Sequence, residues 1–286
     1  MKAQLTLTVS EGKQLIALAV TQMREVQMAF TSGKILLKGG TTVSAVAEEL
    51  VGIPLRISGR VTPLGTKSAQ KNVNAPHSLL IVKGEPKGVD DSLEEAVLSM
   101  GPRDVAICGA NLIDQHGAAA LMAGSPLGGN PGRVIAVFAA EGITTIIPAG
   151  LEKLTPGSIA EAMLAASRQG CDWSLGMAVG LIPVPGRVIT ELEAFAMLAK
   201  VKVTVIGRGG VAGAEGSTTY VVEGTEAEVI KICRLVLKLK GAPTSGAAGS
   251  LEECRRGGPN CHRHLGCVYG GKEKTKVTLG VTSGEQ

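Results

Sequence analysis

Aromatic side chains are nearly missing from this chain: one Trp, two Tyr and three Phe occur in 286 residues. That scarcity argues against a base-stacking surface for single-stranded nucleic acid. It also leaves the core to Val, Ile, Leu, Ala and Met, the filling of strands sandwiched between helices. No run of about 18 apolar residues occurs, so no membrane-spanning helix is expected. The opening MKAQLTLTVSEGKQ lacks an apolar stretch of signal-peptide length, and a cytoplasmic protein is the expectation. A strong charge imbalance is missing as well. Ten of 29 Lys/Arg and six of 25 Asp/Glu fall in residues 225–286, leaving 19 of each sign in a neutral body. Without a basic stripe there, nucleic acid would meet only weak contact from the C-terminal segment. Six cysteines without a secretion signal read as reduced thiols or metal ligands, not as a disulfide framework.

What the chain does have is a globular balance, 44% hydrophobic and 19% charged, with 39 glycines for tight turns. Its length suits one large α/β domain with or without an appendage. Apolar positions Leu15, Ile16, Ala19, Val20, Met23 and Val26, behind Ser10 and Glu11, predict one helix running to the Ser32-Gly33 break. A short strand over 35–37 leads into Gly39-Gly40-Thr41-Thr42 and a helix carrying Val43, Val46, Ala47 and Leu50. Strands are expected over 54–57, 78–82, 104–108 and 143–147, helices over 92–100, 134–141 and 158–168, and a long loop over 58–76. Repeated strand-helix-strand order implies the α/β class, with a mostly parallel sheet covered by helices on both faces and ligands at the carboxyl ends of its strands. Residues 1–190 would form this ligand-binding domain. Residues 191–240 read as an α-β-β-α extension in which Thr225 and Glu228 form a capping box. Residues 241–286 read as a Gly-rich tail with a strand over 277–281. Nothing here fixes the oligomeric state, and homo-oligomerisation stays open.

Two segments carry the best candidate chemistry. In Gly39-Gly40-Thr41-Thr42 the glycines allow close backbone approach, and the next helix opens with unpaired amides and two hydroxyls, which suits an anion. The same residues would equally make a plain tight turn with a threonine helix cap. In Gly109-Ala110-Asn111-Leu112-Ile113-Asp114-Gln115-His116-Gly117, a buried strand delivers Asn111, Asp114 and His116 to the sheet's edge. A carboxylate there can accept a proton or bind a hydroxyl, and it can also serve an Asx turn by holding backbone amides.

The order LLKGGTT, DVAICGANLIDQHG, NPGRVIAVFAAEGITTIIPAG resembles the superfamily of ribose-5-phosphate isomerases, DeoR-type sugar-phosphate sensors, methylthioribose-1-phosphate isomerases and CoA transferases, over about residues 10–150. The resemblance implies phosphate at Gly40, Thr41 and Thr42. It implies sugar contacts from Asn111 and Asp114, with Asp114 as the catalytic candidate. Asn111 stands where that superfamily carries its first acidic residue, and an amide cannot take a proton. The implied partner is a small phosphorylated or otherwise anionic metabolite, bound or converted. No helix-turn-helix segment precedes the domain, which argues against a DNA-binding repressor.

The run Gly207-Arg208-Gly209-Gly210-Val211-Ala212-Gly213 superficially fits a dinucleotide fingerprint. A strand instead of a helix follows it, so a hairpin is expected. Cys254, Cys261, His264 and Cys267, with His262 among them, give a second reading. They could ligate zinc or an iron–sulfur cluster and so order a segment with few apolar residues, or they are thiols of a solvated tail. Cys108, Cys171 and Cys233 sit in apolar settings and are expected to be inert core residues.

Overall fold

The computed structural model describes residues 1–70, 73–255, 260–270 and 275. Strand β1 (Lys2–Leu7) alternates Ala3, Leu5 and Leu7 with Lys2, Gln4 and Thr6, the two-residue period of a half-buried strand. The expected first helix is two, α1 (Val9–Thr21) and α2 (Arg24–Ser32), broken at Gln22 and Met23. Thr8 starts α1: its hydroxyl accepts from the Glu11 amide and Glu11 Oε2 accepts from the Thr8 amide, a full capping box two residues before Ser10.

The chain continues through β2 (Lys34–Lys38), α3 (Thr41–Val51), the hairpin β3 (Gly59–Thr62) and β4 (Gly65–Ser68), then β5 (Ser78–Val82) and β6 (Glu85–Gly88). Next come α4 (Leu93–Leu98), β7 (Val105–Cys108), β8 (Leu112–Ile113), β9 (Ala119–Ala123), α5 (Gly129–Ala140), β10 (Thr144–Pro148) and α6 (Ile159–Ala165). The last elements are β11 (Gly180–Pro183), β12 (Arg187–Ile189), α7 (Glu191–Leu198), β13 (Val201–Gly209), β14 (Ser217–Gly224) and α8 (Glu226–Leu239). The strand expected over 54–57 does not form, the loop expected over 58–76 contains a hairpin, and the strand expected over 277–281 lies outside the described residues.

A six-stranded sheet, ordered β12-β10-β7-β2-β5-β6, is the centre of the fold. β12, β10, β7 and β2 run parallel, and β5 and β6 extend the sheet as an antiparallel hairpin. Its inner strands are apolar on both faces because both are covered. Ile35 and Leu37 of β2 face one core, with Leu15 and Ile16 of α1, Val43 and Val46 of α3 and Phe195 of α7. Leu36 faces the other, with Leu93 and Val97 of α4 and Phe138 of α5.

The α-β-β-α extension is completed by the other end of the chain: β1 pairs antiparallel with β14, which pairs with β13. α7 joins this small sheet to the main core through Phe195, whose ring stands edge-on to Tyr220 at 5.2 Å and 68°. In α8 only half of the expected capping box forms. Thr225 accepts from the Glu228 amide, while Glu228 Oε2 accepts from the Lys200 amide. Both rings of the Phe195–Tyr220 pair are fully buried. Phe195→Ala should therefore cost about 3–5 kcal/mol of unfolding free energy in a denaturant titration.

Candidate functional site

The turn after β2 lies at the carboxyl edge of the central sheet, where α/β sheets hold their ligands. Gly39 donates its amide to His77 O at 2.8 Å, and a Cβ built on it would fall 2.2 Å from His77 Nδ1, so only glycine fits beneath that imidazole. Gly40, the residue before α3, has φ +152°, a conformation that L side chains rarely adopt. No side chain caps α3, so its first amides keep the partial positive charge of a helix start. Gly39, Gly40 and Thr41 are half-buried and reachable, whereas Thr42 is 1% exposed and its Oγ1 has no hydrogen-bond partner among the described residues.

Lys38 ends β2 with a side chain 3% exposed, in register with Cys108 of β7 and Ser78 of β5. Its Nζ lies 3.5 Å from His77 Nε2. His77 Nδ1 is 2.8 Å from Arg56 O, an acceptor, so the proton sits on Nδ1 and the Nε2 lone pair faces Lys38 and Ser58 Oγ. The neighbouring carboxylate, Asp90, is already committed. It accepts from the His77 and Ser78 amides and from Arg56 Nη2 at 2.7 Å, bonds that hold it below the usual carboxylate range although burial opposes them. Among the described residues no carboxylate lies within ion-pair distance of Lys38. Burial lowers Lys38 to about 8 and pushes the Cys108 thiol up to about 12. His77 is lowered to about 4, first by burial and then by Lys38. Two cationic side chains, Lys38 and Arg56, thus share one carboxylate whose hydrogen bonds are taken. Sequence reasoning passed over Lys38 and His77. The available signal was a basic residue closing an apolar run directly before two glycines.

Asp114 is engaged with the backbone. Its Oδ1 accepts from the His116 and Ala118 amides at 2.9 and 3.0 Å, and its Oδ2 accepts from the Ile159 amide at 3.0 Å. It forms the Asx turn and braces the start of α6 beside the cap Ser158, and the Ile159 bond leads in holding its carboxyl below the usual range. Asn111 Oδ1 accepts from the Met122 amide at 3.0 Å, fastening β9. None of these partners belongs to the Lys38 group. Gly207 and Gly209 lie in β13, which turns back into β14 without a helix, so the dinucleotide arrangement is absent there.

Cys254, Cys261, His264 and Cys267 do come together, around a cavity of about 20 Å³ shared with Lys67 and Tyr269. Among the described residues, however, no three His, Cys, Asp or Glu side chains are arranged to hold a metal ion. The expected zinc or iron–sulfur ligands are gathered without the convergence that coordination demands. Backbone pairing orders this segment instead, with bridges from Glu253 to Ala69 and from Cys267 to Ser174. Cys108 is buried as expected, while Cys171 and Cys233 are half-buried.

A second titratable group, also missed from sequence, lies where β10 and β12 end. Glu191, 4% exposed, accepts from the Leu151 amide at 2.9 Å. Glu152 Oε1 is 3.7 Å from Lys13 Nζ, and among the described residues neither Glu152 Oε1 nor Ser217 Oγ has a hydrogen-bond partner. Burial, reinforced by Glu152, raises Glu191 to about 7, and burial lowers Lys153 to about 8. Thr190 and Glu193 supply a capping box there, so this stretch reads in sequence as an ordinary helix start.

No protein-family model, no curated protein and no solved structure matches the chain. Among the described residues no helix is long and apolar enough to cross a membrane.

Because Glu191 titrates higher when folded than unfolded, the folded chain binds the extra proton between pH 4.5 and about 7, and unfolding free energy should fall as pH rises through that window. Glu191→Gln keeps the acceptor for Leu151 and should flatten that decline in denaturant titrations at several pH values.

Proposed function

We propose that this chain binds, or acts on, a small metabolite through an anionic group, phosphate or carboxylate, seated on the turn from Gly39 to Thr42. One observation carries the reading: Lys38 is buried beside an uncapped helix N-terminus with no carboxylate partner among the described residues. A buried ammonium without a counter-charge is costly, and a bound anion would supply that counter-charge while accepting from the first amides of α3. The resemblance of LLKGGTT and the segments after it to sugar-phosphate isomerases and sensors favours phosphate and a polyhydroxylated body, with Gly40, Thr41 and Thr42 as the phosphate contacts. The role that resemblance implies for Asp114 is less well supported, because its oxygens already hold three backbone amides.

Calorimetric titration with orthophosphate and with ribose 5-phosphate tests the reading. Binding should be seen with the native chain, and Lys38→Met should weaken it by about tenfold to a hundredfold, the worth of one charge-assisted hydrogen bond. Absence of heat across a panel of sugar phosphates and carboxylates would contradict it. The pH dependence has a definite sign. A bound anion raises the Lys38 pKa from about 8, so binding takes up a proton at higher pH and affinity should decline above pH 8. Lys38→Arg, charged throughout, should lose that decline.

A further inference from the structure

A lysine amine can act as a nucleophile as well as a charge once it has lost its proton. Among the described residues no carboxylate lies within ion-pair distance of the Lys38 nitrogen, and the ionised Asp90 acts on it only from farther off. Cys108 in β7 stays a thiol, Asp90 after β6 is held by Arg56 and two amides, and His77 before β5 is a neutral imidazole that presents a lone pair. An amine N–H directed to His77 Nε2, 3.5 Å away, leaves the nitrogen lone pair pointing elsewhere. The half-buried Gly39, Gly40 and Thr41 adjoin it, and the exposed Ser58 hydroxyl, 3.5 Å from the same Nε2, links the group to solvent.

We propose that Lys38 forms an imine with the carbonyl carbon of an anionic aldehyde or ketone whose acidic group is held by the α3 N-terminus. This inference rests on the anion reading of the same turn. In the step, the Nζ lone pair forms the C–N bond while the carbonyl π pair moves to oxygen, which takes up a proton shed by nitrogen. The nitrogen then gives up its second proton as that oxygen leaves as water, and the remaining lone pair closes the C=N bond. Amine and carbonyl give imine and water, with no oxidant or reductant. Protonation of the imine nitrogen restores a positive charge beside the anion, so charge complementarity survives the reaction. In the free chain burial lowers Lys38 from 10.5 to about 8, which raises its free-amine fraction near neutral pH roughly a few hundredfold over an ordinary lysine, an advantage that the bound anion offsets in part.

Reductive trapping on the full chain decides it. The protein is incubated at pH 7.5 with glyceraldehyde 3-phosphate and sodium cyanoborohydride, digested and mapped by mass spectrometry. Lys38 should carry about tenfold more adduct than any exposed lysine, the share of its free-amine advantage that remains once the anion is bound, and orthophosphate should suppress that adduct. Lys38→Arg should lose the adduct, and the competition by orthophosphate on the native chain gives the same answer without a variant. An unmodified Lys38 in a chain that does bind orthophosphate overturns the imine and leaves the anion reading standing. A chain that neither binds orthophosphate nor labels at Lys38 overturns both.

Discussion

A lysine buried at the end of a central strand is the constraint from which the rest of the site follows. Lys38 stands where β2 meets the amides of α3, so two sources of positive potential share one edge of the sheet. The surrounding residues hold the lysine in place without neutralising it. His77 covers Gly39, Arg56 fixes the imidazole tautomer through its carbonyl, and Asp90 pins both Arg56 and the His77 backbone. The close approach of His77 explains Gly39, and the backbone angle explains Gly40. The two glycines therefore have different physical reasons, and neither is a mere turn former.

The parallel strands were legible because they are short apolar runs separated by helical periods, as at residues 35–37, 104–108 and 143–147, and the antiparallel β5 was legible for the same reason. The antiparallel β1 and β6 were not. β1 has the length and alternation of a strand but lies at the chain start, and its partner β14 is more than 200 residues away, beyond the reach of any local pattern. The β5–β6 hairpin turns on Lys83 and Gly84, both at positive φ, without the Asn-Gly or Asp-Gly pair that announces such a turn. α1 and α2 share a continuous apolar stripe, so periodicity alone could not reveal the break at Gln22 and Met23.

At the site the division is similar. Gly39, Gly40, Thr41 and Thr42 were visible as a motif because local spacing encodes a strand-turn-helix. Lys38, Arg56, His77 and Asp90 converge only after β5 and β6 fold back beside β2, and no spacing rule anticipates that. Asp114 is ambiguous in sequence: its setting is that of an Asx turn and also that of a ligand carboxylate, and its oxygens accept from three backbone amides. The Cys254 to Cys267 cluster shows that closeness in sequence gathers side chains without aiming them at one point.

The site depends on Lys38 being a buried amine with no carboxylate at ion-pair distance among the described residues. Heteronuclear NMR of isotopically labelled lysine side chains, assigned by Lys38→Arg and titrated with pH, measures this directly. The account predicts a midpoint for Lys38 near 8 in the free chain and a clear upward shift when orthophosphate is added. A Lys38 resonance that titrates with the surface lysines and ignores phosphate would contradict it.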